Sequence, residues 1–78
     1  MNIKVKYFGI LAEKIGISEE EINIEFLEKI NLRDFFNQKH PKISNKTYKI
    51  AINQEITDVL AISDKNIEVA LLPPFAGG

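Results

Sequence analysis

Few residues in this 78-residue chain are of a type that does chemistry. The sequence has no cysteine, which excludes disulfides, thiolate metal sites and a thiol nucleophile. Its one histidine, His40, precedes Pro41 in a predicted loop without a second metal ligand nearby in sequence. We therefore expect His40 to be a surface residue with no metal or catalytic role. The unusual feature is the C-terminal stretch LLPPFAGG.

In this stretch two conformationally restricted prolines are followed by two glycines, which have no side chain. Pro73 and Pro74 hold φ at about −65° and lack an N–H, so they direct the chain away from the last strand along an extended path. Gly77 and Gly78 have no Cβ and fit a channel that is too narrow for other residues. Residues 73–78 reach at most about 20 Å, which is enough to enter a pocket of another protein. The sequence predicts an extended tail that a partner binds.

Ordering such a tail costs about 1–2 kcal/mol per residue, so a partner must supply favourable contacts. Phe75 and Leu72 are the large apolar side chains nearby, and burying one contributes about 1.5–3 kcal/mol. We expect Phe75 to anchor the tail in the partner. Phe8 fits equally well in the core or on the sheet face beside Leu72, and it is a further candidate for the interface.

Composition limits the other classes of function. The net charge is −1 and the lysines are scattered, which argues against a nucleic acid partner. No apolar run approaches the about 20 residues of a membrane span, and the first residues do not resemble a secretory signal. We expect a soluble, cytoplasmic protein of one domain, residues 1–78, in which residues 73–78 are the tail.

The elements that position the tail begin with a half-buried strand. Ile3, Val5 and Tyr7 alternate with lysines, and Gly9 ends the strand. Residues 10–15 are predicted to form a short helix that stops at the following glycine.

Residues 18–30 fit two patterns. Ser18 and Glu21 match a helical capping box, whereas Ile22, Ile24 and Phe26 alternate with polar residues as in a strand. The β-branched isoleucines, and a hairpin with the first strand, favour a strand over residues 20–26.

The principal helix is predicted to follow. Asn31 is a suitable N-cap, Asp34 lies in the first turn where the helix dipole favours a negative charge, and Pro41 ends the element. One apolar stripe should pack across the sheet, and it consists of Leu32, Phe35 and Phe36.

Three further strands, one of them short, complete the predicted sheet. Residues 46–53 alternate, Asn53-Gln54 can turn the chain, and a brief pairing strand is predicted at residues 55–57. The last strand, residues 67–72, is apolar on both faces near its end, which indicates a central strand whose second face a partner could cover.

Between these strands, residues 58–64 are predicted to contain a turn of helix, with Leu60 and Ile62 in the core. The resulting fold class is α+β: a mixed sheet of four to five strands, one principal helix packed across it, and a short helix after the first strand.

The chain resembles the MoaD-like sulfur carriers, the small subunits of molybdopterin synthase, along its whole length. The resemblance lies in the ending VALLPPFAGG, the opening IKVKYFGILAEKIG and the stretch AINQEI. The Pro-Pro-aromatic stem is more discriminating than the diglycine, which ubiquitin-like modifiers and the thiamine sulfur carrier share. The resemblance implies a ubiquitin-like β-grasp fold. Asp64-Lys65-Asn66 departs from the family, which often has a glycine before the last strand, and the geometry of this turn is left open.

The resemblance also implies a mechanism whose reactive group is the backbone terminus. An activating enzyme would use ATP to adenylate the Gly78 carboxylate, and sulfur would replace AMP to leave a thiocarboxylate, a 1-thioglycine. The sulfur would pass to cyclic pyranopterin monophosphate in molybdenum cofactor biosynthesis. Gly78 is thus the catalytic position of a chain that is not an enzyme alone, and neither a bound cofactor nor a metal is implied.

The implied partners are that activating enzyme and the large subunit of molybdopterin synthase, with two small subunits flanking a dimer of large subunits. Ala76, Gly77 and Gly78 would enter the large subunit's pocket. The other interface residues would be Phe8, Leu72, Pro73, Pro74 and Phe75. The alternatives are a thiamine-type sulfur carrier, a ubiquitin-like protein modifier and a binding module without terminal chemistry.

Overall fold

The computed structural model describes residues 1–63 and 65–74. In chain order the elements are β1 (Asn2–Tyr7), α1 (Ile10–Ile15), β2 (Glu19–Asn23), β3 (Lys29–Asn31), α2 (Leu32–Lys39), a 3₁₀ turn (Pro41–Ile43), β4 (Lys49–Ile52), β5 (Glu55–Ile56), β6 (Val59–Ala61) and β7 (Glu68–Leu72).

A five-stranded mixed sheet has the order β2-β1-β7-β4-β5. Strands β1 and β7 are parallel, and the other neighbouring strands are antiparallel. Strand β7 therefore lies in the centre, as its two apolar faces predict. The α+β fold class predicted from the sequence is confirmed.

The core lies between one face of this sheet and α2. Ile3, Val5 and Tyr7 share that face because side chains two positions apart on a strand point the same way, and each is almost fully buried. Helix α2 contributes Leu32 and Phe36, both with no exposed surface. The rings of Tyr7 and Phe36 meet edge to face, with their centroids 6.2 Å apart.

Helix α2 begins and ends where the sequence predicts. The side chain of Asn31 accepts a hydrogen bond from the Asp34 backbone N–H at 3.1 Å, which confirms the N-cap. At the other end, the His40 N–H donates to the Phe36 carbonyl at 2.8 Å, and Pro41 starts the 3₁₀ turn. Helix α2 therefore carries His40 at its C-terminal end.

Helix α1 also spans the predicted residues and is bounded by two glycines. Gly9 precedes it, and Gly16 ends it in the left-handed conformation with φ = 95°. Leu11 is its fully buried residue, whereas Ile10 is exposed and Ile15 is half-buried. The helix is thus anchored to the core mainly through Leu11, and Ala12 and Ile15 also pack against the core.

The prediction of strand β2 over residues 20–26 has the right alternation but the wrong end. Ile22 and Ile24 are buried, yet the strand ends at Asn23. Its pairing partner β1 begins at Asn2, which lies opposite Asn23. Ile24 still exchanges two backbone hydrogen bonds with Met1, at 2.8 and 3.0 Å, and the pairing ends there. Phe26 is half-buried outside the strand.

The prediction of a turn of helix within residues 58–64 is wrong. Strand β6 occupies part of that range and pairs with β3 as a separate two-stranded ribbon, which the sequence did not predict. Leu60 is fully buried, as expected, but Ile62 is 53% exposed. The reason is that Ile62 follows the end of β6, where its N–H donates to the Glu28 carbonyl at 2.8 Å, at the open end of the ribbon.

The two turns that border the central strands use polar residues with positive φ. Asn53 and Gln54 have φ of 48° and 72° and join β4 to β5, which confirms the predicted turn. Asn66, at the position where the resemblance led us to expect a glycine nearby, has φ = 53°. Asparagine tolerates this region better than most residues, so the chain turns towards β7 without glycine.

An ion pair joins the start of α2 to the segment before β6. Arg33 donates to Asp58 through two nitrogens, at 2.8 and 3.2 Å, and its guanidinium lies 4.6 Å from the centre of the Tyr48 ring. The hydrogen bonds to Asp58 raise the pKa of Arg33. The contact fixes the ribbon to the helix end that it adjoins.

Candidate functional site

The candidate site begins where the tail leaves the sheet, at the end of β7. The Phe8 N–H donates to the Leu71 carbonyl at 3.2 Å, which continues the parallel β1–β7 ladder by one bond. In this register the next bond would run from the N–H of residue 73 to the Phe8 carbonyl. Pro73 has no N–H, and the Phe8 carbonyl instead accepts from the Leu11 N–H at 3.1 Å. The proline therefore ends the ladder, and the chain leaves the sheet there.

Gly9 lies directly against Pro73. Its backbone has φ = 56° and ψ = −132°, a conformation that residues with a side chain rarely adopt. A Cβ atom at Gly9 would lie 3.0 Å from Pro73 Cγ, closer than an ordinary van der Waals contact. The missing side chain of Gly9 therefore makes room for the proline ring. From the sequence, we assigned Gly9 only to the end of β1.

Four of the interface residues predicted from the sequence lie within the described ranges, and all four lie around this exit. Phe8 is 44% exposed, so of its two proposed positions the core is wrong. Leu72 and Pro73 are half-buried and Pro74 is exposed. The roles of these four residues in binding a partner stay predictions. Phe75, Ala76, Gly77 and Gly78 lie outside the described residues.

An open hollow of about 500 Å³ lies on the sheet face opposite α2, next to the exit. Ala51, Ile56, Ala70 and Leu72 give it an apolar floor, and the rest of its lining is polar. Ile56 is 59% exposed. The second apolar face of β7 is thus left uncovered within the described part of the chain.

A cluster of three polar side chains lies on the core side of the sheet, next to the exit. The Tyr7 hydroxyl donates to Glu20 Oε2. His40 Nε2 lies 3.0 Å from the same oxygen and 3.1 Å from the Tyr7 hydroxyl, and the Tyr7 and His40 rings meet edge to face. Because an ionised carboxylate can only accept, Nε2 of His40 carries the proton in its bond to Glu20. This Tyr7–Glu20–His40 cluster joins β1, β2 and the end of α2.

The prediction that His40 is a surface residue is therefore wrong. Its side chain is only 17% exposed and that of Glu20 is 20% exposed. The residue lies at the C-terminal end of α2, which packs over the core face on which Tyr7 lies. No pattern in the sequence connects these three residues, because the three elements meet only in the folded chain.

Electrostatics in this cluster favour an ionised Glu20 and a neutral Tyr7. Burial alone would raise the pKa of Glu20, but hydrogen bonds to Tyr7 and His40 and the charge of Lys39 outweigh it, so the pKa falls below its ordinary 4.5. Burial, and then the bond to Glu20, raise the pKa of the Tyr7 hydroxyl far above its usual range. These groups hold the fold together and are turned away from the hollow.

Metal ligands do not gather anywhere in residues 1–63 and 65–74: no group of three or more His, Cys, Asp or Glu side chains is placed to hold an ion. In the same ranges, every buried side-chain nitrogen or oxygen has a hydrogen-bond partner. Neither of the two α-helices within them is long and apolar enough to cross a membrane. What the described residues offer is a surface and a rigid exit for the tail.

Comparison with known proteins gives a consistent result. Residues 5–78 match the family model described as the ThiS family. The chain is 29% identical over 82 residues to the molybdopterin synthase sulfur carrier subunit of Mycobacterium tuberculosis, with 100% of this chain and 99% of that protein covered.

Solved structures with the same fold include two from archaea. A putative molybdopterin converting factor, subunit 1, from Pyrococcus furiosus has a TM-score of 0.71 and 26% identity, covering 96% of this chain and 99% of that one. SAMP1 from Haloferax volcanii has a TM-score of 0.73 and 20% identity over the whole of both chains, a likeness of fold alone. The predicted ubiquitin-like β-grasp fold is confirmed.

Proposed function

Because the chain belongs to the ThiS family and has the fold of a MoaD-like sulfur carrier, we propose that it is the sulfur carrier subunit of a molybdopterin synthase. The observation that carries the proposal is the end of β7, a central strand that stops at Leu72 and continues at Pro73 into the sequence PPFAGG. The full-length similarity to a sulfur carrier subunit supports it.

The chemistry proposed for the tail takes place at the carboxylate of Gly78. An activating enzyme transfers the adenylyl group of ATP to this carboxylate and releases pyrophosphate. Sulfur at the oxidation level of sulfide then attacks the acyl carbon, AMP leaves, and the terminus becomes a thiocarboxylate, a 1-thioglycine. Its sulfur attacks cyclic pyranopterin monophosphate, and hydrolysis of the acyl–sulfur bond leaves the sulfur on the pterin and returns the Gly78 carboxylate. Two such transfers build the dithiolene of molybdopterin.

In that scheme this chain positions the reactive terminus, and its partners supply the acid and base groups. The sequence contains no thiol that could divert the activated terminus. The polar cluster of Tyr7, Glu20 and His40 is satisfied internally and lies on the opposite side of the sheet from the hollow. The chain is therefore not an enzyme alone but the sulfur donor of a two-subunit enzyme.

The proposed partners are a molybdopterin synthase large subunit, in a complex of two small and two large subunits, and the activating enzyme. Ala76, Gly77 and Gly78 enter the large subunit's pocket. Phe8 and Leu72, which border the exit and present apolar surface, bind at its rim together with Pro73, Pro74 and Phe75. The exposed face of β7 offers further apolar area to the same partner.

Intact-mass spectrometry tests the terminal chemistry directly. The purified chain is incubated with the activating enzyme encoded in the same genome, ATP and a sulfur source. The mass of the untreated chain first establishes that Gly78 carries the terminal carboxylate. We expect an increase equal to the replacement of one oxygen by sulfur, and no increase in a variant lacking Gly78. An unchanged mass under conditions in which the enzyme consumes ATP would refute the proposal.

The same preparation distinguishes the alternatives. A ubiquitin-like modifier would form isopeptide bonds from Gly78 to lysines, visible as conjugates of higher mass. A thiamine-type carrier would become thiocarboxylated but would not bind the large subunit. A binding module would keep its function without Gly77 and Gly78. We expect Phe75→Ala to weaken binding to the large subunit while leaving thermal stability nearly unchanged.

A further inference from the structure

We propose that Gly9 is a positioning residue that sets the direction in which the tail leaves the domain. The Gly9 backbone, which has no Cβ, forms the surface on which the Pro73 ring packs, and we call this surface the Pro73 seat. This inference rests on the proposed function, since the seat matters because the tail must reach an enzyme's pocket. It concerns a residue whose own atoms take no part in the chemistry.

The seat is rigid because it is held from both sides. On one side, the Phe8 N–H is bonded to the Leu71 carbonyl at 3.2 Å. On the other, the Phe8 carbonyl accepts from Leu11 at 3.1 Å and the Gly9 carbonyl accepts from Glu13 at 3.3 Å, as the first turn of α1. Leu11 is fully buried and anchors that turn in the core. Gly9 therefore cannot move away from Pro73 without disturbing a strand end or a helix start.

The contact itself is specific to glycine. A Cβ at Gly9 would lie 3.0, 3.9 and 4.0 Å from Cγ, Cβ and Cδ of Pro73. Ordinary contacts begin at 3.4 Å, so the proline ring would have to shift by a few tenths of an ångström. Pro73 has a fixed φ and stands at the base of the tail, so a shift there redirects every residue that follows.

Gly16 provides a matched control on the other end of α1. It also has positive φ, 95°, but a Cβ placed on it meets nothing within 4 Å. Gly16→Ala therefore introduces backbone strain beside the same helix without touching Pro73. Circular dichroism first shows that the two variants are equally folded. A difference between Gly9→Ala and Gly16→Ala in kcat/KM for adenylation then measures the effect of the contact with Pro73.

A double-mutant cycle with Pro73→Ala separates the seat from strain at Gly9. Pro73→Ala removes Cγ, the one atom that a new Cβ at residue 9 would approach more closely than 3.4 Å, together with Cδ, while the strain at residue 9 remains. The readout is kcat/KM for adenylation of the tail, followed as pyrophosphate release with the activating enzyme. Misplacing a reacting group by 1 Å can reduce a rate on the order of 100-fold, so we expect about a tenfold loss for Gly9→Ala and less than about twofold for Gly16→Ala.

In the Pro73→Ala background, we expect Gly9→Ala to lower kcat/KM by less than about twofold. A tenfold loss in both backgrounds, or equal losses for Gly9→Ala and Gly16→Ala, would overturn the proposal. Failure of the proposed function has a different signature, which is that the wild-type chain is not adenylated.

In that event, NMR tests the contact between Gly9 and Pro73 on the isolated chain, without any enzyme. We expect nuclear Overhauser contacts between the Gly9 α protons and the Pro73 ring protons in the wild-type chain. We also expect the Leu72 amide shift to change in Gly9→Ala but not in Gly16→Ala. Absence of the contacts in the wild type would overturn the seat.

Discussion

The replacement of Glu20 by glutamine tests how the Tyr7–Glu20–His40 cluster stabilises the fold. Glutamine keeps the size of the side chain and one accepting oxygen but removes the charge. Hydrogen bonds to charged groups contribute about 1.5–3 kcal/mol, against about 0.5–1.5 kcal/mol for neutral ones. Glu20 accepts from Tyr7 and from His40, so two bonds are weakened at once.

Burial opposes part of this loss, because desolvation disfavours the charged carboxylate and not the amide. We therefore expect Glu20→Gln to lower the free energy of unfolding by about 1–2 kcal/mol near neutral pH. For a domain of this size that corresponds to a fall in Tm of about 5–15 °C. The loss is large for a strand residue at the edge of a sheet.

The pH dependence has a definite sign. The folded chain lowers the pKa of Glu20 below its ordinary 4.5, so the folded state favours the ionised form. The contribution of Glu20 is therefore fully present above pH 4.5 and is lost as the pH falls through the lower, folded-state pKa. The difference in stability between the wild type and Glu20→Gln should shrink as the pH is taken below 4.5.

Urea denaturation followed by circular dichroism over a pH series measures both effects. Glu21→Gln is the matched control, since Glu21 is exposed on the same strand and faces the other way. We expect it to change stability by less than about 0.5 kcal/mol. Equal losses for the two variants, or a Glu20→Gln loss that stays constant into acid, would show that the cluster does not hold an ionised carboxylate.

Further predictions concern the core, the helix cap and the exit. Phe36→Ala should lower the free energy of unfolding by about 3–5 kcal/mol, measured by urea denaturation, because Phe36 is fully buried; the half-buried Phe35 should lose less on the same change, and the reverse order would contradict the packing. Asn31→Ala should lower it by about 1 kcal/mol through loss of the cap, whereas Asn31→Gly should lower it by a few tenths only; equal losses would argue against capping. Phe8→Ala should change stability by less than about 0.5 kcal/mol. It should weaken binding to the large subunit, measured by calorimetry, by more than about 1 kcal/mol, and unchanged affinity would exclude Phe8 from the interface.

The sequence predicts those parts of the fold in which a local pattern and the tertiary structure agree. Strand β1 has five residues of alternation, and α2 has an N-cap, an acidic first turn and an apolar stripe, so each could be placed with near-correct ends. The strong signals are those that a single element carries within itself.

The ribbon of β3 and β6 was missed because its strands are three residues long. Such a strand is too short for a period of two to be distinguished from chance, and its partner lies far away in sequence. Leu60 could be assigned to the core from its hydrophobicity, but Ile62 could not be assigned to the surface, because only the end of β6 at Ala61 explains its exposure.

At the site, the sequence indicates the tail but not the contact between Gly9 and Pro73 at its base. The prolines and glycines stand out by composition, whereas Gly9 and Pro73 are brought together by the parallel pairing of the first and last strands. One signal was available: a glycine directly before a helix, where a side-chain cap is common, suggests a backbone conformation or a close contact that needs glycine.

The central position of β7 has a consequence for how the chain folds. Strand β1 pairs with β2 and β4 with β5, as two local hairpin-like pairs, and only β7 joins them. Lys4 pairs with Glu68, almost the whole chain apart, so the sheet closes late, by a contact of high sequence separation. A chain cut between β6 and β7 would leave these two pairs unjoined, with open edges. The segment that begins at Pro73 is therefore presented only by a domain that has finished folding.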